Sequence, residues 1–178
     1  MTVLRRALSH ELGSDTLHAL RALFESAWPG TFTPEDWEHS LGGVHFFLED
    51  DRGGILAHAS VVPRTLETAG RPLATGYVEA VATRPERQRE GHGSQVVGAA
   101  TAHVRDSYEL GALSTHRLDF YRRLGWVVWS GPTAVRKTHG VVRTPDDDGG
   151  ILVLTTPSSP VLDLDGLLVC DQRPGDVW

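Results

Sequence analysis

Apolar positions along this chain recur with two periods, and the changes from one to the other mark its elements. Residues 3–8 read as a short strand. Leu17, Leu20, Leu23, Phe24 and Ala27 then fall at helical spacing, so a helix is expected over residues 15–27 with Ser14 as its cap. Thr33-Pro34-Glu35-Asp36 opens a second helix, with Thr33 as cap and Pro34 at the first helical position, ending near Gly42-Gly43. Residues 44–49 and 55–66 read as strands joined by the turn Asp50-Asp51-Arg52-Gly53-Gly54, and a turn at Ala69-Gly70 leads into a strand ending at Thr83. A helix over 94–106, a strand over 109–113, a short helix over 117–124 and a strand over 126–135 follow. Two more strands are expected, at 151–155 and 167–171. No repeat, low-complexity tract or linker divides the chain, so residues 1–178 are expected to form one α/β domain.

A chain of 178 residues buries roughly two thirds of its unfolded surface without staples. With 40% hydrophobic residues and a mean hydropathy of −0.21 it reads as neither disordered nor embedded in a bilayer. The amino terminus lacks a signal-peptide core and no apolar run approaches the ~18 residues of a span, so no membrane partner is expected. The one cysteine, Cys170, cannot form an internal disulfide, which fits a cytoplasmic location. It sits in an apolar run and reads as buried filler. Seven of the 23 acidic residues but only one of the 17 basic ones follow Thr144, so the whole formal charge of −6 belongs to that tail. An acidic face attracts cations and disfavours nucleic acid. Asp163 and Asp165 read as a solvated rim. The nine histidines form no metal-ligand pattern: His39 lies on a helix, His45 and His58 read as separate strand residues, and His92 sits in a turn. No metal is expected.

Two segments point to chemistry. Gln88-Arg89-Glu90-Gly91-His92-Gly93 lies between a strand and a helix start. There, glycines allow a tight turn, and free amides and the helix dipole favour an anion such as a pyrophosphate. Glu79 interrupts the apolar strand segment Tyr77-Val78-Glu79-Ala80-Val81-Ala82, where a carboxylate is costly unless bonded or functional.

Together with Phe120-Tyr121-Arg122-Arg123-Leu124-Gly125-Trp126, the glycine turn resembles the acyl-CoA-binding core of the GNAT superfamily of N-acetyltransferases. The resemblance implies a central mixed, mostly antiparallel sheet splayed between its fourth and fifth strands and flanked by helices. It implies acetyl-CoA as co-substrate, held by Gln88, Arg89, Glu90, Gly91, His92, Gly93 and Ser94, with Val81, Ala82 and Thr83 along the pantetheine arm. It further implies Glu79 as base acting through water, the Val81 N–H, freed by a bulge, as donor to the thioester oxygen, and Tyr121 as acid for the departing thiolate. Phe120 is expected to be the core aromatic of that helix.

Further segments are similar to the aminoglycoside 2'-N-acetyltransferases: Asp36-Trp37-Glu38-His39-Ser40-Leu41-Gly42-Gly43, Gly76-Tyr77-Val78-Glu79, Leu110-Gly111-Ala112-Leu113-Ser114, Arg143-Thr144-Pro145-Asp146-Asp147-Asp148-Gly149 and the terminal Gly175-Asp176-Val177-Trp178. That likeness implies acetylation of the 2'-amine of a cationic amino-sugar antibiotic. The sugar would be lined by Asp36, Glu79, Ala80, Ser114, Asp147, Asp176 and Trp178, the last offering an indole face and its α-carboxylate. Asp36 also fits a capping box with Thr33. Where many members carry an acidic residue this chain has Thr31, so a kasugamycin-type substrate stands beside the deoxystreptamine drugs. The alternative is a GNAT enzyme acting on another cationic amine, such as a polyamine, peptide or metabolite. GNAT relatives are often dimers, which leaves a homodimer open.

Overall fold

The leucine spacing near the amino terminus produces the helix it predicts. In the computed structural model, which describes residues 1–178, helix α1 spans Ser14–Ala27 and buries Leu20, Leu23 and Phe24. Its cap differs from expectation. Gly13 is the cap and Ser14 the first helical residue, because Leu17 N donates to Gly13 O and so starts the ladder one residue earlier. The second helix, α2 (Pro34–Ser40), starts as its sequence dictates: Thr33 Oγ1 accepts from Asp36 N at 3.1 Å, and Asp36 Oδ2 accepts from Thr33 N at 2.9 Å.

The remaining elements are β1 (Val3–Leu8), β2 (Val44–Glu49), β3 (Ile55–Thr68), β4 (Arg71–Thr83), α3 (His92–Ser107), β5 (Leu110–Ser114), α4 (Leu118–Arg122), β6 (Val127–Val128), β7 (Thr133–Lys137), β8 (Gly140–Arg143), β9 (Ile151–Thr155) and β10 (Leu168–Asp171). The hydrogen-bonded order is β6-β9-β5-β4-β3-β10-β7-β8, with β2 also on β3 and β1 on β2. All pairings described are antiparallel except β4 with β5 and β10 with β7. The β4–β5 ladder ends at Tyr77 opposite Ala112 although β4 continues to Thr83. The mixed sheet therefore parts between its fourth and fifth strands, as expected.

Two compact units share β3 and β4. The first, Met1–Val62 with Val78–Ala102, holds β1, β2 and both outer helices. Its core gathers Leu20, Leu23, Phe24, Phe47, Ile55 and Ala82, with Trp28, Phe32 and Trp37 packed alongside. The Phe24 ring centroid lies 5.4 Å from Phe32, 5.9 Å from Trp28 and 6.0 Å from Trp37. Truncating such a ring to alanine costs about 3–5 kcal/mol.

The second unit, Pro63–Tyr77 with His103–Trp178, is built on β5, β9, β10 and β7. The strand expected over 126–135 is instead two, β6 and β7. Ser130 and Gly131 turn their amides to Leu164 O, and Pro132 has no N–H to continue a ladder. Trp129, fully buried, donates its indole N–H to Gly166 O at 2.8 Å. A Cβ on Gly131 would stand 2.1 Å from that same oxygen, so only glycine fits the crossing. The exposed strand β8 had no expectation attached to it.

Candidate active site

The glycine turn is shorter than its sequence suggests, because α3 takes in His92 and Gly93. Its ladder begins with Gln95 N donating to Gly91 O, so the amides of His92, Gly93 and Ser94 precede the first helical bond. Arg89 and Gly91 reach the turn with φ of 68° and 85°, and the space beside Gly91 is open. Gln88, Arg89 and Glu90 are exposed. His92 is buried, with Nε2 3.2 Å from Glu90 Oε2. Arg87 Nε donates to both oxygens of Glu90 at 2.9 Å, which, together with its charge, holds that carboxyl below its ordinary range and offsets its negative charge. Amides, a left-handed turn and a helix N-terminus of four turns fit a pyrophosphate.

In the same unit, β4 breaks its regular conformation where the resemblance implies a bulge. Ala80 has φ 48°, which costs a non-glycine residue of order 1–2 kcal/mol. Side chains of β3 hold the carbonyls there: Ser60 Oγ donates to Glu79 O at 3.3 Å, and His58 Nδ1 donates to Ala80 O at 2.8 Å. Glu79, Ala80, Val81 and Thr83 are half-buried and Ala82 is buried.

His45 and His58 are not separate strand residues, as the sequence suggested. His45 Nδ1 lies 2.9 Å from His58 Nε2, and His45 Nε2 lies 2.8 Å from Ser9 Oγ. Burial pushes His45 down to about 4 and His58 to about 3, the neighbouring His45 adding to the latter, so both are neutral near pH 7. The signal was that each histidine interrupts an apolar run, residues 44–48 in β2 and 55–59 in β3, where every position is buried. Asp36, half-buried, uses one carboxylate oxygen in the cap of α2 and Thr31 is exposed nearby in sequence, its hydroxyl 3.4 Å from Trp28 O.

The second unit holds the other expected residues. Ser114, exposed, ends β5 opposite Ile151. Tyr121 and Phe120 exchange the places expected of them. Tyr121 is the buried ring, 6% exposed and edge-on to Phe120 at 4.9 Å and Trp126 at 6.4 Å, while Phe120 is half-buried. One residue of helical rotation decides which ring points inward. Burial raises the Tyr121 hydroxyl well above its ordinary range, so it stays protonated.

Among the tail aspartates, Asp148 is structural. It accepts from Thr133 N and Oγ1, each at 2.8 Å, and from Arg143 at 2.6 Å, contacts that lower its pKa. Asp147 is the opposite case: burial, then the charges of Asp176, Asp146 and Asp148, raise it. Like charges gathered around a partly buried carboxylate make the potential there favourable to a cation.

Trp178 offers no open indole face, contrary to expectation. It is 3% exposed and its Nε1 donates to Thr144 Oγ1 at 2.9 Å, while its terminal oxygen accepts from Arg173 at 3.1 Å. The tail is strapped down by Arg64, which donates to Val177 O at 2.8 Å and Asp171 O at 3.1 Å with its guanidinium 4.6 Å from the Tyr77 ring centroid. No local pattern announced that strap.

Comparison with known proteins bears on the same elements. The family described as acetyltransferase (GNAT) domain matches residues 9–129. An aminoglycoside 2'-N-acetyltransferase of Mycolicibacterium fortuitum is 41% identical over 172 residues, 94% of this chain and 88% of that protein. Among solved structures, a GNAT family N-acetyltransferase from Escherichia coli in complex with CoA has a TM-score of 0.67 at 12% identity, covering 95% of this chain and 89% of that one. A probable N-acyltransferase of Enterococcus faecalis has a TM-score of 0.60 at 18% identity over 74% of this chain, which spans only 33% of that longer protein. At those identities the solved structures speak to the fold. The chain belongs to the GNAT acetyltransferases and, within them, to the aminoglycoside 2'-N-acetyltransferase family.

Proposed function

We propose that this chain transfers acetyl from acetyl-CoA to the 2'-amine of an aminoglycoside in the cytoplasm and thereby confers resistance. The observation that carries the reading is the likeness to the Mycolicibacterium fortuitum aminoglycoside 2'-N-acetyltransferase across 94% of the chain. The open turn at residues 88–94, the strained peptide at Ala80 and the unneutralised Asp147 support it. Because β3 and β4 pass unbroken from one unit to the other, residues 1–178 are read as one acetyltransferase domain.

In this reading Gln88, Arg89, Glu90, Gly91, His92, Gly93 and Ser94 hold the pyrophosphate through backbone amides, and Ala82 and Thr83 align the pantetheine arm. Glu79, through a water, takes the proton from the substrate ammonium. The freed amine attacks the thioester carbon while Val81 N–H stabilises the oxygen; the C–S bond breaks, Tyr121 protonates the leaving sulfur, and the second proton lost by the nitrogen returns through solvent to restore the Tyr121 hydroxyl. Asp36, Ala80, Ser114, Asp147, Asp176 and the Trp178 carboxylate bind the sugar, each charged hydrogen bond contributing about 1.5–3 kcal/mol. Thr31 is uncharged where many members of the family carry an acidic residue, which weakens the case for the deoxystreptamine drugs and keeps a less cationic, kasugamycin-type substrate beside them. A thiol-release assay over kasugamycin, deoxystreptamine drugs, polyamines and amines lacking a 2'-amino sugar tests this. CoA release confined to the 2'-amino sugars is expected. Release only with polyamines or peptides would refute the sugar assignment, and none with any amine would refute acetyl transfer.

A further inference from the structure

The acetyl-transfer reading does not use Ser9, His45 and His58, yet His45 is 1% exposed and His58 0% exposed. Burying an imidazole is costly unless its nitrogens find partners, and here all four do. The partners also fix every proton. Ala80 O can only accept, so His58 Nδ1 carries hydrogen. The neutral ring then accepts at Nε2, so His45 donates from Nδ1 and accepts at its own Nε2. Ser9 Oγ–H is thereby turned to His45 at 2.8 Å, in preference to Gly43 O at 3.2 Å. Ser9 Oγ in turn accepts from Gly42 N at 2.9 Å and Gly43 N at 3.1 Å. The chain of bonds runs one way, from the Gly42 and Gly43 amides to the Ala80 carbonyl.

That carbonyl belongs to the peptide unit whose N–H is that of Val81. The chain has no cis peptide bond, so the Ala80 C=O and the Val81 N–H point in opposite directions. A donor clamped on the oxygen therefore sets the line along which the Val81 N–H projects. It also polarises that amide, because hydrogen bonds in series strengthen one another. The clamp sits at the one non-glycine residue of β4 with positive φ, where the backbone would otherwise relax.

We propose that Ser9, His45 and His58 are a hydrogen-bond relay that aims and polarises the Val81 amide, with His58 the positioning residue for acetyl transfer. This rests on Val81 N–H as the donor to the thioester oxygen. The edge-to-face contact of His58 with Phe24, 4.9 Å between centroids, keeps the ring from turning away from Ala80.

The test compares His58→Phe, which keeps a planar ring but no donor, with His58→Asn, whose side-chain amide can still donate from near the Nδ1 position. Loss of an oxyanion donor costs about 10²–10³-fold, and a misaimed donor retains part of that, so kcat of His58→Phe should fall roughly 10–100-fold with the acetyl-CoA KM within about 3-fold of the parent. His58→Asn should return kcat to within roughly 5-fold. Without any substrate, the Val81 amide resonance of His58→Phe should shift and its proton exchange faster, with His58→Asn close to the parent. Parent-like kcat and an unmoved Val81 resonance in folded His58→Phe would overturn the relay, as would equal losses in both variants. If His58→Phe does not fold, His45→Leu replaces it. A Val81 resonance shift in that variant supports the relay and an unmoved one overturns it. If the parent acetylates no amine, the function fails on its own, and the Val81 resonance still decides whether the relay exists.

Discussion

Replacing Tyr121 with phenylalanine separates chemistry from packing. The ring stays, and with it the edge-to-face contacts to Phe120 at 4.9 Å and Trp126 at 6.4 Å. Only the hydroxyl is removed, so the melting temperature should move by no more than about 1 kcal/mol implies, roughly 2–4 °C for a chain of this size. The catalytic loss follows from the proton. A positioned general acid contributes about 10²–10⁴-fold, most when its pKa lies near the working pH. Burial drives this phenol upward, away from that optimum and above the ~8.5 of an ordinary thiol, so the drive to protonate the sulfur is weak. The expected fall in kcat is therefore near the low end, about 10²-fold, with acetyl-CoA KM little changed. The same elevation means that the parent should show no loss of activity from Tyr121 ionisation below about pH 10. Thiol release at saturating amine and a thermal melt are the assays. A folded Tyr121→Phe with parent kcat would refute the acid assignment, and a large drop in melting temperature would refute the packing argument.

Three further outcomes follow from the geometry. His45 and His58 have folded pKa values below their ordinary value, so as pH falls below about 6.5 the unfolded chain binds protons first and stability is lost; for His45, lowered to about 4, this amounts to about 3 kcal/mol by the time pH reaches that value. Melting curves from pH 7 to 4.5 should show the decline, and His58→Phe should show a shallower one. Asp147, raised by burial and by Asp176, is in the opposite position: its ionised form burdens the folded state once pH exceeds its ordinary value. Asp147→Asn should raise the melting temperature at pH 7 and raise KM for a cationic sugar, both in one preparation. Removing Trp178 deletes an indole that is 3% exposed, at about 3–5 kcal/mol or roughly 10 °C in melting temperature, so lost sugar turnover in that truncation has to be read against a melt.

How much of this was legible in the sequence depends on whether a feature is fixed by neighbours along the chain. The face of α1, the cap of α2 and the glycine turn are local, and spacing or cap chemistry decides them. The break between β6 and β7 was also local, since Pro132 cannot donate to a ladder, but the apolar residues on both sides read as one strand. Trp178 could not be placed from sequence because its partners, Thr144 and Arg173, belong to a tail whose path is set by Arg64. The histidine relay turns on a finer detail. Along most of β2 and β3, His45 lies opposite Ser60 and Phe47 opposite His58, which puts both histidines on one face. Near the turn, Glu49 instead lies opposite Ile55, a register shifted by one residue across the irregularity at Leu48 and Glu49. Had that outer register continued, Phe46 would face His58 and the two imidazoles would project from opposite sides of the sheet. One bulged residue thus decides whether the relay exists, and it leaves no mark in the alternation of either strand.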